Sequence, residues 1–473
     1  MPIGNHEHTP AVAIIGAGIG GLAAAKALDD AGVTWECFDR RPDVGGLWSQ
    51  DPEREDGPAY RALHVNSSAK FMAMSGLPIP PDYPEFPSRE QIGRYLVRYA
   101  EHFGLSSRVR RRTEVTSLKR EPSGGWTVET SDGERRRCAS VVVAAGHFSQ
   151  PVMPDIPDFF AGEVLHAHDY VSSERFAGRN VLVVGLGASG ADIACEVSRT
   201  AARTAVSVRG GVHIVPKHLF GRPFDTFPVR TRPRWLRWMV MRLAVRLSRG
   251  PQERYGITAP DRPLGNAAVT VTSDLLTRLS HGDLAVRPAL KGFKEDAVVF
   301  ADGSVEPYDT VILCTGYRPS FPFLDPAIAP PRDGLDLFRR VFHPAATDLA
   351  FVGLVQVLGA APATLERQAR LVAARLSGRY ALPGEHEIAR RLIRDRARAE
   401  RMFGADRRAG MLLDPVAYRS VVENELRAGR RRARQGIVKA ASPAQDRSRT
   451  GSVAGSRRIT SGLRAAHRAE RRL

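Results

Sequence analysis

The chain has 473 residues, 43% hydrophobic and 25% charged, so it is long enough for two or three domains with buried cores. This composition excludes a single small binding module, a fibrous protein and a wholly disordered chain. Its 69 Lys and Arg residues against 51 Asp and Glu give a net charge of +18, which by itself suggests a polyanionic partner such as nucleic acid or an acidic membrane.

The basic charge is concentrated at the C-terminus. Residues 427–473 contain 14 Lys and Arg but only 2 Asp and Glu, and they include no aromatic residue. Such a segment cannot bury enough apolar surface to offset the entropy lost on ordering. We therefore predict a largely disordered basic tail, which is either a solvated extension or an electrostatic anchor for a membrane or nucleic acid.

Signals for secretion and membrane insertion are not evident. The first ten residues lack the basic segment of a secretory signal, and no run reaches the roughly 18 apolar residues of a membrane-spanning helix. The four cysteines form no CxxC pair, which gives no support to a disulfide framework, a cysteine zinc site or a dithiol redox centre. We therefore expect a cytoplasmic protein.

The first predicted strand, residues 11–15, leads into a glycine-rich turn and a helix that extends to about residue 31. A second strand ends at Asp39, 18 residues after the last glycine of the turn. Glycines allow a tight turn and a close approach of pyrophosphate to the helix N-terminus, and an acid at this distance accepts hydrogen bonds from ribose hydroxyls. The pattern predicts a dinucleotide site formed by Gly16, Gly18, Gly20, Gly21 and Asp39.

The same unit is repeated from residue 180, where a strand is followed by a second glycine turn and a helix. The residues predicted to bind a nucleotide here are Gly185, Gly187, Ser189 and Gly190. The next strand ends at Arg209, 19 residues after Gly190. An acid would repel a 2′-phosphate whereas arginine binds it, so this site should prefer NADPH; the alternative is a solvated arginine at the strand end.

Two further strand-like segments, residues 141–146 and 311–316, end at Gly146 and Gly316. Each reads as a buried strand that stops where the backbone approaches a ligand or crosses between domains. Two dinucleotide sites in one chain imply electron transfer between two cofactors, usually a bound flavin reduced by a diffusible nicotinamide.

Residues 230–249 predict a basic amphipathic helix. One predicted stripe is apolar and consists of Leu236, Val240, Leu243 and Leu247. The opposite side of the helix carries Arg242, Arg246 and Arg249. The stripe would either pack on its own domain or lie on an anionic bilayer. Peripheral contact with a membrane surface therefore stays open.

A family resemblance rests on four motifs. Residues 160–170 contain Phe160, Gly162, His166 and Tyr170 in an FxGxxxHxxxY string that resembles the identifying motif of flavin-containing monooxygenases. Residues 45–48 (GGLW) and 314–317 (CTGY) resemble the family's GGLW and ATGY, and residues 66–87 resemble its active-site segment. The resemblance extends from about residue 11 to about residue 426.

The resemblance implies a class B flavoprotein monooxygenase. In this class NADPH reduces FAD, and a C4a-(hydro)peroxyflavin formed with molecular oxygen oxygenates a soft nitrogen or sulfur of a small organic substrate. The implied fold is α/β, with two Rossmann-like dinucleotide-binding domains. An NADPH domain, residues 161–324, would be inserted into an FAD domain split into residues 1–160 and 325–426, followed by the tail at 427–473.

The resemblance also implies residue roles. Asn66 would lie near the flavin's oxygen adduct, where its amide can donate a hydrogen bond to a peroxide oxygen. The 160–170 motif would link the two domains, with His166 structural or cofactor-positioning rather than a general base. His166 and His168 lack an evident third ligand, so we predict no metal site. The other implied cofactor-binding residues are Gly46, Leu47, Trp48, Gly146, Thr315 and Gly316.

Two other functions compete with this prediction. A Baeyer–Villiger monooxygenase would act on ketones; that related group usually has Trp where this chain has Tyr170, which favours heteroatom oxygenation. A basic nucleic-acid-binding protein with a regulatory nucleotide site ranks low, because the sequence contains no recognised nucleic-acid fold. The sequence does not predict the substrate's identity or the oligomeric state.

Overall fold

The computed structural model describes residues 11–49, 57–156, 159–227, 233–267, 269–330, 335–404 and 410–441. The helices are α1 (Ile19–Asp30), α2 (Ala69–Met72), α3 (Arg89–His102), α4 (Ala188–Val197), α5 (Arg234–Arg249), α6 (Leu275–His281), α7 (Pro362–Leu376), α8 (Glu385–Phe403) and α9 (Pro415–Ala441).

The strands of the first half are β1 (Val12–Ile15), β2 (Trp35–Phe38), β3 (Val109–Arg110), β4 (Val115–Arg120), β5 (Trp126–Thr130), β6 (Arg135–Cys138), β7 (Ser140–Val143), β8 (Gln150–Pro151), β9 (Glu163–His166), β10 (Asn180–Val184), β11 (Arg203–Ser207) and β12 (His213–Val215). Those of the second half are β13 (His218–Leu219), β14 (Arg222–Pro223), β15 (Val269–Val271), β16 (Ala285–Arg287), β17 (Leu290–Lys294), β18 (Ala297–Phe300), β19 (Val305–Pro307), β20 (Thr310–Leu313), β21 (Tyr317–Arg318), β22 (Leu349–Phe351), β23 (Gln356–Val357) and β24 (Leu412–Leu413).

The first sheet has the strand order β22-β7-β1-β2-β3, with every neighbouring pair parallel. Its central strands are apolar and buried, as expected for a parallel sheet covered on both faces. Helix α1 connects β1 to β2, and α7 packs against α1. Because β22 lies far along the chain from β7, this sheet is built from two separated segments.

The second sheet repeats the arrangement with the order β16-β11-β10-β20-β9, again parallel throughout. Helix α4 connects β10 to β11 as α1 connects β1 to β2. In both sheets an antiparallel three-stranded unit precedes a later strand: β4-β5-β6 before β7, and β17-β18-β19 before β20. The predicted α/β fold, with a second Rossmann-like unit inserted into a split first one, is confirmed.

The two chain crossings between the sheets run side by side. Strand β8 lies on the outgoing crossing and β21 on the returning one, and they pair antiparallel. The Thr315 hydroxyl also donates a hydrogen bond to the Val152 carbonyl oxygen at 2.6 Å. Gly146 and Gly316, with φ of +76° and +88°, therefore stand at the entrances to this paired ribbon.

The structure bears on the two alternatives left open for the leucine stripe of α5. The buried residues of the helix are Arg237, Met241, Ala244 and Val245, whereas Leu243 and Leu247 are exposed. These two leucines of the stripe therefore do not pack on the domain. The helix is apolar over much of its circumference, so the sequence pattern alone did not select the buried side.

The predicted start of a disordered tail at residue 427 is also wrong, because α9 continues to Ala441. Buried Glu425 accepts a hydrogen bond from Arg432 at 2.6 Å, and Arg432 also donates to the Ala381 carbonyl oxygen at 2.9 Å. A side chain at Gly429 would overlap the Tyr380 ring, so glycine allows the helix to pack closely there. Residues 442–473 of the predicted tail lie outside the described residues. Across the described part of the chain, no helix is long and apolar enough to cross a membrane.

Candidate cofactor and substrate sites

The first glycine turn joins β1 to α1 in a conformation that only glycine permits. Gly16 has φ of +100°, and a Cβ atom there would lie 2.7 Å from the Ala144 carbonyl oxygen at the end of β7. A Cβ atom on Gly21 would overlap the Gly16 carbonyl oxygen, and one on Gly20 would lie 2.9 Å from that of Val352. No side chain caps the N-terminus of α1, so its backbone N–H groups remain available to an anion.

Asp39 holds this turn from the end of β2. Its carboxylate accepts hydrogen bonds from Ala17 N at 2.6 Å and from Arg41 N at 2.9 Å. Burial raises the pKa of Asp39, and the two backbone donors act in the opposite direction. An acid at this position was predicted from the sequence, whereas the hydrogen bond of its carboxylate to the glycine turn was not.

The GGLW motif forms a short 3-10 helix against the first glycine turn. Gly45 N donates to the Ala17 carbonyl oxygen at 2.9 Å, and a Cβ atom on Gly46 would lie 2.9 Å from Gly18 Cα. The backbone of the GGLW motif at Gly46 therefore packs directly against the backbone of the glycine turn at Gly18. Leu47 and Trp48 complete the 3-10 helix, and α3 approaches so closely that a Cβ atom on Gly93 would lie 2.5 Å from the Trp48 carbonyl oxygen.

The second glycine turn reproduces this geometry between β10 and α4. Gly185 has φ of +101°, and a Cβ atom there would lie 2.8 Å from the Cys314 carbonyl oxygen, next to Thr315 and Gly316. A Cβ atom on Gly190 would overlap the Gly185 carbonyl oxygen. Gly187 is exposed with no heavy atom within 4 Å of an added Cβ atom, Ser189 is half-buried, and α4 has no side-chain cap.

Arg209 lies two residues beyond the end of β11 and is exposed. Within the described ranges, no carboxylate forms an ion pair with it, whereas Arg203 on the same strand pairs with Glu306 at 3.0 Å. The Arg209 guanidinium is therefore free of a competing carboxylate in the described structure, and its binding to a ligand phosphate stays a prediction.

The FxGxxxHxxxY motif builds the edge of the second sheet. Phe160 stacks on Phe293 at 4.8 Å, and Gly162 fits where a Cβ atom would lie 2.7 Å from the Asp309 carbonyl oxygen. Tyr170 is fully buried, with its ring edge to face with that of Tyr60 at 5.8 Å. The motif thus supplies packing on both sides of β9.

His166 lies at the end of β9, beside the returning crossing. Its Nδ1 accepts a hydrogen bond from His168 N at 3.0 Å, and its ring stands edge to face with Tyr317 at 5.1 Å. Burial lowers the pKa of His166, so the ring is neutral at neutral pH. This arrangement suits a structural histidine better than a general base.

Residues of the first unit also contact α4 directly. The Tyr60 hydroxyl donates to the Asp192 carboxylate at 2.9 Å, and burial raises the pKa of Asp192.

His147, just after Gly146, is bonded through Nδ1 to the Gly353 carbonyl oxygen at 3.2 Å, and burial lowers its pKa. The His147 Nε2 atom is buried and has no hydrogen-bond partner among the described residues. Tyr60, His147 and Asp192 were not predicted from the sequence, because no local sequence pattern marks them.

Asn66 lies on the wall of a cavity of about 230 Å³. Two backbone hydrogen bonds hold its loop, from Val65 N to the Pro87 carbonyl oxygen at 3.0 Å and from Ala69 N to that of Glu85 at 2.8 Å. The Asn66 Oδ1 atom is buried without a hydrogen-bond partner in the described structure. Most of the cavity wall is apolar and includes Val215, Phe224, Met241, Leu264, Val271 and Leu358.

Two buried polar bridges cross this wall. Asp225 accepts hydrogen bonds from Ser68 N at 2.8 Å and Ser68 Oγ at 2.9 Å, tying the Asn66 loop to the inserted unit. Arg237 of α5 donates to Asp414, whose other oxygen accepts from Val416 N at 3.0 Å at the start of α9. Neither bridge was predicted from the sequence, although Asp414 before Pro415 is a recognisable helix-capping signal.

These features fit the expected cofactors. The two glycine turns are cradles that side chains would fill, each lies at an uncapped helix N-terminus, and each is followed by the appropriate polar residue. The residues that would hold FAD are those of the first turn with Asp39 and Gly46, and those that would hold NADPH are those of the second turn with Arg209. The described residues include no group of three or more His, Cys, Asp or Glu arranged to hold a metal ion.

Comparisons with known proteins agree with this geometry. A family model described as flavin-binding monooxygenase-like matches residues 9–428. Flavin-containing monooxygenase 5 from Oryctolagus cuniculus is 34% identical over 403 residues, covering 80% of this chain and 75% of the relative. Dimethylaniline monooxygenase [N-oxide-forming] 2 from Mus musculus is 33% identical over 420 residues, covering 83% and 78%.

Solved structures show the same fold. S-allyl-L-cysteine S-oxygenase from Allium sativum has a TM-score of 0.66 and 25% identity, covering 90% of this chain and 92% of that one. An oxidised steroid monooxygenase bound to NADP has a TM-score of 0.68 and 18% identity, covering 89% and 98%. The chain belongs to the flavin-binding monooxygenase-like family and is an FAD- and NADPH-dependent monooxygenase.

Proposed function

We propose that this enzyme oxygenates a soft nitrogen or sulfur atom of a small organic substrate. The reaction consumes one NADPH, one proton and one O₂, and releases NADP⁺, water and the N- or S-oxide. FAD, when bound and reduced, supplies the activation of oxygen. The protein's own residues bind the nucleotides, shape the substrate cavity and keep water away from the reacting atoms.

The charges of the cavity wall are the observation that supports oxygenation of a heteroatom over oxygenation of a ketone. The wall includes the carboxylates of Asp225 and Asp414 and one guanidinium, that of Arg237, which Asp414 already engages. Oxygen insertion beside a ketone needs an anionic oxidant, which a free cation would stabilise. Transfer of electrophilic oxygen to a lone pair needs no such cation. The wall therefore supports heteroatom oxygenation.

The names of two relatives point the same way. One relative is an N-oxide-forming dimethylaniline monooxygenase, and one similar structure is an S-oxygenase of S-allyl-L-cysteine. The occupation of the motif's last position by Tyr170 instead of Trp agrees with this assignment. Ketone oxygenation is the second candidate, because cyclohexanone monooxygenase shares the fold at a TM-score of 0.65.

We assign the residue roles accordingly. Asn66 would donate its amide hydrogens to the oxygen being transferred, and Asp225 would position the Asn66 loop through Ser68. The neutral His166 would stay structural at the junction of the two units. Leu47, Trp48, Gly146, Thr315 and Gly316 would line the cofactors, since each lies at or beside a glycine turn or a crossing.

We further propose the domain limits 1–160, 161–324 and 325–426, in accordance with the two sheets, and a cytoplasmic location. The location is supported by the cysteines: Cys37, Cys138, Cys195 and Cys314 are all free thiols.

The test uses the FAD-loaded enzyme with NADPH and one substrate of each class: a thioether, a tertiary amine and a cyclic ketone. Products are identified by mass spectrometry under ¹⁸O₂, and NADPH consumption is measured in parallel. We expect labelled sulfoxide or N-oxide in proportion to NADPH. Labelled lactone or ester as the dominant product would refute the heteroatom assignment, and failure of the purified protein to bind flavin would refute the assignment of the first glycine turn.

A further inference from the structure

The outward face of α5 is apolar and uncovered. Trp235, Met239, Leu243 and Leu247 follow one another at four-residue intervals, and each side chain is more than half exposed. Residues four apart lie on one face of a helix, so these side chains form a continuous apolar stripe over roughly three turns. An uncovered stripe of this kind marks a surface that binds a partner.

The charges of α5 indicate what kind of partner. The helix contains five arginines and no acidic residue. Arg234 and Arg237 pair with Asp414, and Arg249 donates to the Ile214 carbonyl oxygen. The other two, Arg242 and Arg246, are exposed beside the stripe, and no carboxylate within the described ranges forms an ion pair with either. We infer that this face docks on an anionic phospholipid surface, with the apolar side chains entering the interface and the two arginines contacting headgroups.

The hairpin that packs against α5 also carries an exposed aromatic side chain. Phe220, at the tip of the β13–β14 hairpin, is exposed, whereas the preceding Leu219 is buried against Met241 and Val245 of α5. Aromatic and leucine side chains around basic residues are typical of helices that lie in a membrane interface. A second copy of the chain suits the face less well, because a two-fold contact would bring Arg242 and Arg246 close to their own counterparts without any acidic residue on the helix.

The docking face has a consequence for substrate supply. The inner side of the same helix contributes Arg237, Trp238 and Met241 to the wall of the cavity that contains Asn66. One helix, about 10 Å across, therefore separates the lipid-facing stripe from the cavity, and a substrate dissolved in the membrane would reach the enzyme next to its site. Delivery of substrate from the membrane rests on the proposed function, whereas docking itself requires only the exposed face of α5.

The test uses the full-length, FAD-loaded enzyme and sedimentation with vesicles, either of phosphatidylcholine alone or of equal parts phosphatidylcholine and phosphatidylglycerol. We expect binding to the anionic vesicles at low salt. The Leu243→Ser/Leu247→Ser variant should bind them at least about tenfold more weakly, because both side chains lose their apolar contact. Arg242→Gln/Arg246→Gln should also bind the anionic vesicles more weakly than the wild type, because two contacts with headgroups are lost. The matched control is Ile393→Ser, which removes an exposed apolar side chain from the arginine-rich α8; it should bind like the wild type.

Three results would overturn the inference. The full chain could fail to bind anionic vesicles, or the double serine variant could bind as well as the wild type, as expected if the basic residues after 441 act alone. Alternatively, the wild type could self-associate without lipid and the serine variant stay monomeric, which would identify a second copy as the occupant. Turnover of a water-soluble thioether without vesicles reports on the proposed function separately, and it should be unchanged in the serine variant.

Discussion

Replacing Arg209 with alanine should change the enzyme's choice of nicotinamide cofactor. Arg209 stands two residues beyond β11, exposed and without an ion-pair partner in the described structure, so its removal breaks no ion pair there. A charge-assisted hydrogen bond contributes about 1.5–3 kcal/mol. Because this arginine is exposed to solvent, we take the lower part of that range, about 1.5–2 kcal/mol.

This free energy corresponds to a rise of about 10- to 30-fold in the KM for NADPH. NADH lacks the 2′-phosphate, so its KM should change by less than about twofold, with kcat unaffected for either cofactor. Initial rates measured with each cofactor give the two KM values and therefore the preference for NADPH over NADH. Isothermal titration with 2′-AMP and 5′-AMP measures the same preference without turnover, and only 2′-AMP should bind more weakly to the variant.

Arg203→Ala is the matched control. Arg203 lies on the same strand, but its guanidinium is already paired with Glu306, so its loss should leave both KM values within about twofold of the wild type. Equal weakening of NADPH and NADH in Arg209→Ala would refute the reasoning, because it would mean that the arginine supports the strand end and not the phosphate.

Further predictions concern the wall of the cavity that contains Asn66, the first glycine turn and the pH dependence of stability. Asn66→Ala should retain the flavin spectrum yet release more hydrogen peroxide per NADPH, measured with a peroxidase assay; unchanged coupling would contradict its role. Asp225→Asn should raise the same peroxide yield, whereas Glu85→Gln, which alters an exposed bridge to His218, should not. Gly21→Ala should abolish FAD retention, measured by absorbance after gel filtration, because its Cβ atom overlaps a carbonyl oxygen; normal retention would exclude the close turn. Burial lowers the pKa of His166, so the unfolded state binds more protons as pH falls below about 6.5 and stability declines; denaturant titrations should show a smaller decline in His166→Gln, and an identical pH profile would contradict this.

The sequence predicted the parts of the fold that depend on local patterns. The strand predicted to begin at residue 180 is β10, Asn180–Val184, and both glycine turns have the strand–turn–helix geometry expected of them. Apolar strands and glycines with positive φ leave few alternatives locally, which explains why these elements were recognisable before any long-range contact was known.

What the sequence did not predict depends on contacts between distant segments. Asp225 and Ser68 are 157 residues apart, and neither has a neighbouring pattern that identifies the other. The apolar residues of α5 surround most of the helix, so its buried side was decided by the hairpin and cavity it packs against. Likewise α9 extends past residue 427 because Glu425 and Arg432 connect it to the rest of the molecule.

The discontinuous first sheet has a consequence for biosynthesis. Strand β22 (Leu349–Phe351) must pair with β7 (Ser140–Val143), and the FAD turn meets Val352, so the first unit cannot be completed until the ribosome has passed residue 352. The second sheet closes earlier, with β20 at residue 313. Because domains generally fold as units as they emerge, the nicotinamide-binding unit can complete its sheet while the first half of the flavin-binding unit still waits for its last strand. During that interval the unpaired edge of β7 is exposed, and this is the stage of synthesis at which the chain is most open to misassembly.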